Sequence, residues 1–196
     1  MEVAVGKTLN SVIIAEDSNN IVIVNEQNTI DITAPGPQGA IGPVCNFDAG
    51  VLYLKANTIP TPIATINGRA VVSGNTVTGT LANFTKDAST NSLRYDGAGG
   101  RFHAIATFSF YAGSQDTCGF YIGANRSIFS PLDADADRIS ESEIYTNAGS
   151  SSNQPQSGTI QTLVQLNNND RIFFIVQNKS KAGPIQVEFM KLIVRA

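Results

Sequence analysis

Glycine recurs at every third position in one short segment of this chain, at Gly36, Gly39 and Gly42. The segment reads as consecutive Gly-X-Y triplets, and Pro37 and Pro43 follow the first and last of these glycines. Only glycine fits at the crowded axis where three polyproline-II chains wind together. The triplets therefore predict a short collagen-like neck and, with it, a homotrimer. A Pro/Gly-rich linker is the alternative interpretation.

The composition favours a protein built from strands and turns. The chain has 196 residues, of which 42% are hydrophobic and only 15% charged, whereas about a quarter of the residues in an average domain are charged. Asn, Ser, Thr, Gln and Gly supply most of the polarity. The net charge of −3 argues against a nucleic-acid partner, which would require a basic stripe.

Neither a membrane span nor a secretion signal is expected. No apolar run is long enough to cross a bilayer as a helix, and the first residues lack the basic-then-apolar layout of a signal peptide. We therefore expect synthesis in a cytoplasm. The two cysteines, Cys45 and Cys118, do not indicate a disulfide framework. Cys118 lies in an apolar run and is predicted to be a small buried hydrophobe.

The first 34 residues contain three short β-branched runs, at 12–14, 21–24 and 30–32, separated by polar turns. Such a segment is prone to form strands but is too small to bury its apolar faces alone. We expect it to intertwine with its copies or to add strands to a larger surface. The predicted organisation is an anchoring segment at 1–34, the neck at 35–44 and a head at 45–196.

The head region reads as a series of strands. Between Arg101 and Ala112, large apolar side chains alternate with polar ones, which marks a half-buried strand. Residues 171–177 are apolar on both faces, as in a strand that is covered twice. In the last strand, at 184–195, the apolar phase switches, which predicts a bulge or burial against another chain. The pattern as a whole predicts an antiparallel β-sandwich.

Three segments of the head resemble a known domain: residues 95–102 lead into a long aromatic strand, and 162–172 and 187–194 follow it. Together they are similar to the globular head shared by complement-type collagenous proteins and tumour necrosis factors. The resemblance covers about residues 50–196. It implies an all-β fold, a ten-stranded jelly roll that assembles as a tight homotrimer.

The first third of the chain resembles structural proteins of tailed phages, including those of marine and cyanobacterial phages. The resemblance lies in the Val/Ile-rich lead that runs into Gly36, Pro37, Gln38 and Gly39. It implies a base that docks on a major capsid or baseplate protein, and a head displayed on the virion surface. So few triplets favour a compact spike or head fibre over a long fibre. Host attachment is the expected role, with a surface glycan as the candidate partner, and a capsid cement without a receptor is the alternative.

An acidic triplet, Asp133, Asp135 and Asp137, is the sharpest polar motif. Alternating carboxylates open calcium-binding loops of the EF-hand type, but such a loop requires Gly at its sixth position and Glu at its twelfth. Arg138 and Ile144 occupy these positions, so the EF-hand motif fails. A looser Ca²⁺ site and a solvated acidic loop both remain open, and no other cofactor is indicated.

No catalytic constellation emerges from the sequence, and the chain is not expected to be an enzyme. His103 is the single histidine, and its neighbours do not supply a nucleophile and an acid for a hydrolytic triad. It is predicted to lie on a strand face. A glycan-cleaving enzyme would need clustered carboxylates in a cleft, and a secreted bacterial surface protein would need the signal peptide that is not found.

A loop rich in Ser, Asn and Gln, at 147–157, is the candidate for receptor contact through Ser150, Ser151, Asn153 and Gln154. Loops on rigid sandwiches often carry recognition, but an ordinary solvated connection has the same composition. Tyr111 and Tyr121 are predicted to be core residues by alternation, and stacking on a sugar ring or packing at the trimer axis are the alternative roles for them.

Overall fold

The computed structural model of the chain describes residues 20–25, 28–33, 47–87, 89–125, 131–151 and 154–196. The chain divides into two compact units, Met1–Cys45 and Asn46–Ala196, which we call the N-terminal unit and the head. Regular structure in the described residues is almost entirely β, with one 3-10 turn at Ser140–Ser142. In these residues there is no helix with the length and apolarity needed to span a bilayer.

The N-terminal unit contains a β-hairpin of β1 (Asn20–Asn25) and β2 (Asn28–Thr33). The strands are antiparallel and in register from Asn20 opposite Thr33 to Asn25 opposite Asn28. These strands coincide with the predicted runs at 21–24 and 30–32. The run at 12–14 and the glycine triplets lie outside the described residues, so the collagen-like neck and its boundaries stay predictions.

The head consists of two antiparallel sheets. Sheet I contains β3 (Ala49–Leu54), β5 (Val77–Ala82), β8 (Gly100–Tyr111), β11 (Gln156–Leu166) and β13 (Gln186–Arg195). Sheet II contains β4 (Arg69–Val71), β6 (Phe84–Asp87), β7 (Ser92–Tyr95), β9 (Thr117–Asn125), β10 (Ile144–Asn147) and β12 (Arg171–Asn178). The spatial order is β11-β8-β13-β3-β5 in sheet I and β10-β9-β12-β7-β6 in sheet II, where β4 also pairs with β12.

The strand pairs are nested in the way that defines a jelly roll. The first long strand of the head, β3, pairs with the last, β13, and moving inward along the sequence β7 pairs with β12, β8 with β11 and β9 with β10. The chain passes from one sheet to the other at nearly every connection. The head is therefore an antiparallel jelly-roll sandwich, as the sequence predicted.

The core lies between the two sheets and is rich in aromatic rings. Along β8 the even-numbered side chains from Phe102 to Phe110 are buried, while the odd-numbered ones face outward, as the alternation predicted. Phe108 packs on Phe120 at a ring-centroid distance of 4.2 Å and on Phe174 at 5.1 Å. Phe102 forms a second aromatic group with Phe84 and Tyr95.

Strand β12 is buried along its whole length, as its apolar sequence predicted. One face packs into the core between the sheets. The other face forms, with Tyr121 of β9, a smaller cluster in which Phe173 and Ile175 lie beneath Leu132 and Ala134. The chain itself thus covers the part of the outer face of sheet II that β9 and β12 form around these residues.

Strand β13 contains the irregularity that its sequence predicted. Its register against β8 shifts between Val187 and Phe189. The shift leaves Glu188 as an extra residue and brings Val187 and Met190 to the same buried side. The switch in apolar phase is therefore a β-bulge.

Three short strands were not predicted from the sequence. Strands β6 and β7 lie in the polar stretch 83–100, and β10 lies in the segment 131–157, where the sequence pattern predicts no strand. Each has four residues, too few for an alternation to be recognised. Asn83, directly before β6, and Asn91, directly before β7, both have a positive φ, which asparagine tolerates better than most residues.

Candidate functional site

One end of the jelly roll, which we call the apical end, is built from the loop residues 112–116, 148–151, 154–155 and 179–185. The strand registers place these loops together, since Tyr111 lies opposite Gln186, and Cys118 lies opposite Asn178. The opposite end holds Asp48 and Ala196, joined by a backbone hydrogen bond of 3.0 Å. The apical end is therefore the face of the head farthest from these two residues.

The predicted receptor loop lies at the apical end. Ser150, Ser151 and Gln154 are exposed there, whereas Asn153 lies outside the described residues. The loop is held by its neighbour, because the Ser114 hydroxyl donates to the carbonyl of Ser150 at 2.7 Å and the Gln115 amide donates to that of Gly149 at 3.1 Å. These bonds fix the position of the loop, and its role in receptor contact stays a prediction.

A cavity of about 420 Å³ opens next to this loop. Pro60, Ala112 and Pro184 contribute apolar walls, and the ring of Tyr111 and the amide of Gln186 line its side. Small-ligand pockets in proteins span about 300–1,000 Å³ and combine apolar walls with a few fixed polar groups. The volume of this cavity lies within that range, and its lining combines apolar walls with polar groups.

The polar floor of the cavity is an ion pair around a buried carboxylate. The Asp116 side chain is 4% exposed, and it accepts from the Lys181 ammonium at 3.0 Å and from the Asn178 amide at 3.0 Å. Lys181 is 55% exposed, so its ammonium lies at the mouth. The pair is positioned from below, since Asn178 Oδ1 also accepts from the backbone amide of Lys181 at 3.2 Å.

Gly113 allows this ion pair to close. A Cβ at this position would lie 2.5 Å from Oδ2 of Asp116 and 2.5 Å from Nζ of Lys181. Both distances are shorter than any van der Waals contact, so a larger residue would push the ammonium off the carboxylate. The close approach requires glycine here.

Tyr111 presents a polar group beside the cavity. Loss of solvent, and then the neighbouring Glu188 carboxylate, raise the pKa of its hydroxyl above the ordinary value. The hydroxyl therefore stays protonated at neutral pH. Tyr111 is half-buried at the end of β8, so its ring is partly accessible, in contrast to that of Tyr121.

Tyr121 is fully buried, so the alternative in which its ring stacks on a sugar is wrong. The guanidinium groups of Arg69 and Arg138 lie 5.5 Å and 5.4 Å from its ring centroid. Its hydroxyl donates to Glu143 Oε1 at 2.8 Å and lies 3.0 Å from the hydroxyl of Tyr145. Burial, and then the hydrogen bond to Glu143, raise the pKa of Tyr121.

The acidic triplet forms hydrogen bonds within its own loop. Asp133 Oδ1 accepts from the amides of Asp135 at 2.8 Å and Ala136 at 3.0 Å, and these bonds lower its pKa. Asp137 accepts from the Asp133 amide at 2.8 Å, and Asp135 forms an ion pair with Arg69. In the described part of the chain no three acidic, His or Cys side chains gather as metal ligands. The Ca²⁺ hypothesis for this triplet therefore lacks a ligand cluster.

The outer face of sheet I differs from that of sheet II. Val51, Ile105 and Ile193 lie side by side across β3, β13 and β8 and are half-buried. Leu163 on β11 is 75% exposed, and His103 lies between it and Arg195. We call Val51, Ile105, Leu163 and Ile193 the sheet I patch. His103 lies on a strand face, as predicted.

Comparisons with known proteins add likenesses of fold alone. Neither a family model nor a curated protein matches the chain. Among solved structures, murine APRIL aligns with a TM-score of 0.49 and 11% identity, covering 76% of this chain and 100% of that one. Eiger TNF from S. frugiperda aligns at 0.46 and 13%, covering 77% and 93%. The globular domain of zebrafish complement 1qA aligns at 0.44 and 7%, covering 76% and 95%.

These likenesses are too weak to carry an argument about function, and the jelly roll is established by the chain's own strand pairing. The resemblance of the first third to phage structural proteins stays a prediction. Sequence reasoning missed the apical ion pair, because Asp116 and Lys181 lie far apart along the chain. Gly113 was the one feature of the sequence that could have pointed to this ion pair, because it allows the close approach of Asp116 and Lys181. A glycine alone does not indicate which groups approach it.

Proposed function

We propose that this chain is the subunit of a homotrimeric phage structural protein, a spike or head fibre, whose jelly-roll head is displayed on the virion and binds the host surface. The sheet I patch carries the part of the proposal that concerns assembly. Leu163 is exposed and Val51, Ile105 and Ile193 are half-buried on this face, and an apolar patch on the surface of a domain marks an interaction surface.

The proposed partner at the sheet I patch is a second copy of the chain. On the outer face of sheet II, Leu132 and Ala134 already cover Tyr121, Phe173 and Ile175, whereas the sheet I patch has Leu163 exposed. In a cyclic trimer, each copy uses one part of this face against a different part of its neighbour, and three such contacts close the ring. Burial of the patch then supplies the hydrophobic stabilisation.

The N-terminal unit supports assembly for an independent reason. A two-stranded hairpin such as that of β1 and β2 is at best marginally stable in water by itself. Pairing with copies of itself, or with a capsid or baseplate protein, would supply the missing strands. The glycine triplets, if they form a triple helix, require three chains in the same arrangement.

The head is proposed to act by binding, without bond chemistry. Its apical loops lie at the end opposite Asp48 and Ala196, where a displayed head would meet its target. Three identical sites on one trimer bind cooperatively to a repetitive surface through effective concentration, so each site can be weak. A host-cell polysaccharide is a surface of this kind.

Adsorption of the purified full-length chain to cells tests the proposal. Labelled protein incubated with a panel of cyanobacterial strains should bind at least one strain and should be displaced by unlabelled protein. If it binds no strain but becomes incorporated into capsids and raises their melting temperature, the receptor role is contradicted and a cement role replaces it.

A further inference from the structure

We propose that the apical cavity is a binding site for a neutral sugar unit of a surface polysaccharide. This assignment deepens the proposed function and rests on it, since it names the ligand class that the displayed head would recognise. The residues that carry it are Asp116, Lys181, Gly113 and Tyr111, together with the two prolines of the wall.

The charge of the cavity selects a neutral ligand. Asp116 and Lys181 form an ion pair at 3.0 Å, so their charges compensate. An anionic ligand would approach the Asp116 carboxylate and the Glu188 carboxylate beside Tyr111, and a cationic one would approach the Lys181 ammonium. Neither charged class of ligand meets a net opposite charge here, so each would lose solvent without electrostatic compensation. A neutral polyol does not have this cost.

The hydrogen-bonding groups suit hydroxyl ligands. An ammonium has three N–H donors, and the Asp116 carboxylate accepts one of them. The Gln186 side-chain amide donates to the carbonyl of Asn57 at 3.0 Å, which fixes this side chain, and Gln186 also lines the cavity, where its remaining oxygen can accept. A fixed donor and a fixed acceptor match adjacent hydroxyls of a sugar, each of which both donates and accepts.

The walls suit the other side of a sugar ring. Pro60 and Pro184 are rigid and apolar, and the half-buried ring of Tyr111 lies beside them. The C–H face of a pyranose has the same apolar character, so the ring can pack there while its hydroxyls reach the polar floor. The volume of about 420 Å³ admits a single sugar unit with part of the next.

The site is preformed, which reduces the entropic cost of binding. Asn178 holds both members of the ion pair, by donating to Asp116 and accepting from the Lys181 backbone. The loop that contains Asp116 is in turn anchored by its backbone, since the Ala148 amide donates to the Asp116 carbonyl at 2.7 Å. A ligand therefore meets groups that are already in place.

Ligand-observed saturation-transfer NMR on the full-length chain tests the assignment, with the methyl glycosides of glucose, galactose and mannose as neutral probes. Glucuronate and glucosamine serve as the anionic and cationic comparators. We expect at least one neutral glycoside to bind with millimolar affinity and more tightly than either charged sugar. Absence of binding by every neutral probe, or tighter binding of glucuronate, would overturn the proposal.

Two variants locate the binding. Lys181→Met removes the ammonium and keeps most of the stem, and Tyr111→Ala removes the wall without touching the ion pair, so each is expected to weaken the glycoside at least about tenfold. Lys179→Met is the matched control, because the Lys179 ammonium lies over the Tyr145 ring at 3.8 Å, and it should bind as the wild type does. Equal binding by all three variants would place the site elsewhere.

The assignment and the proposed function fail separately. If the wild-type chain adsorbs to cells but binds no neutral glycoside, the display role stands and the cavity assignment is wrong. If the glycoside binds, and Lys181→Met and Tyr111→Ala reduce adsorption while Lys179→Met does not, both stand. If the chain is monomeric and adsorbs to no cell, the proposed function fails whatever the glycoside result.

Discussion

At the scale of single residues, the head depends on a few positions where small and large side chains fit each other. Gly158 on β11 lies opposite Phe108 on β8, and a Cβ at Gly158 would lie 2.7 Å from Cζ of that ring. Phe108 cannot retreat, because it packs against Phe110, Phe120 and Phe174. The glycine is therefore set by packing and not by a positive φ.

Gly158→Ala should accordingly destabilise the head by about 1–3 kcal/mol, the usual cost of overpacking a filled core. Chemical denaturation of the variant measures the loss. Gly100→Ala is the control, since a Cβ there meets Phe102 only at 3.4 Å, and its free energy of unfolding should stay close to that of the wild type. Equal effects of the two substitutions would show that the tight contact is not the cause.

Cys118 gives a second prediction at this scale. It is a free, fully buried cysteine, and burial followed by the nearby Asp116 carboxylate raises the pKa of its thiol to about 12. At pH 8 only about one thiol in ten thousand is then ionised, and the thiolate is the reactive form. The native Cys45→Ser variant should therefore not react with a thiol reagent at pH 8, and the denatured variant should react fully. Rapid labelling before unfolding would contradict this.

The raised pKa of the Cys118 thiol also makes the stability of the head depend on pH. Because the pKa of Cys118 is higher in the folded state than in the unfolded chain, its contribution to stability is complete below about pH 8.5. The contribution is lost as the pH rises towards 12, when the unfolded thiol ionises first.

At the scale of strands and loops, the two outer faces of the sandwich have different roles. Leu132 and Ala134 cover Tyr121, Phe173 and Ile175 on sheet II, and this contact belongs to the folding of one chain. The sheet I patch is the surface proposed to meet another chain. A substitution on each face should therefore change a different property.

Leu132→Ser should lower the free energy of unfolding by about 1–3 kcal/mol through loss of apolar burial and leave the oligomeric state unchanged. Leu163→Ser should instead weaken association between chains and leave the free energy of unfolding of the head nearly unchanged. Thermal denaturation and light scattering on both variants separate these effects. If Leu163→Ser leaves association unchanged over a dilution series, the sheet I patch is not the interface.

The sequence predicted the elements in which every position obeys one pattern. β8 alternates throughout, β12 is apolar on both faces, and the phase switch of β13 marks its bulge at Glu188. The sequence did not predict β6, β7 and β10, because a strand of four residues contains too few positions for an apolar alternation to be recognised. The acidic triplet was ambiguous because alternating aspartates suit a metal loop and a loop that hydrogen-bonds to its own amides equally well.

The apical site was beyond the reach of sequence reasoning for a different reason. Pro60 lies between β3 and β4, Tyr111 and Asp116 lie at the end of β8 and in the connection after it, and Lys181 lies between β12 and β13. Only the nested strand pairing brings these three parts of the chain to one end. The serine-rich loop beside them could be recognised by composition, and the structure places its described residues at this end. Their contact with a receptor could not be predicted from composition, because a solvated loop and a binding loop contain the same residue types.

At the scale of the whole molecule, the proposed homotrimer depends on assembly of the heads through sheet I. The patch on sheet I, the two-stranded hairpin of the N-terminal unit and the glycine triplets are separate features, and three chains in one particle would satisfy all of them. Trimeric display would also convert weak apical sites into firm adhesion. A monomer would leave each of these features without a partner.

The molar mass of the purified full-length chain in solution tests this claim most directly. Light scattering coupled to size exclusion should give about three times the subunit mass of 20.8 kDa, unchanged when the protein is diluted to low micromolar concentration. A single species at 20.8 kDa over the same concentrations would contradict the account.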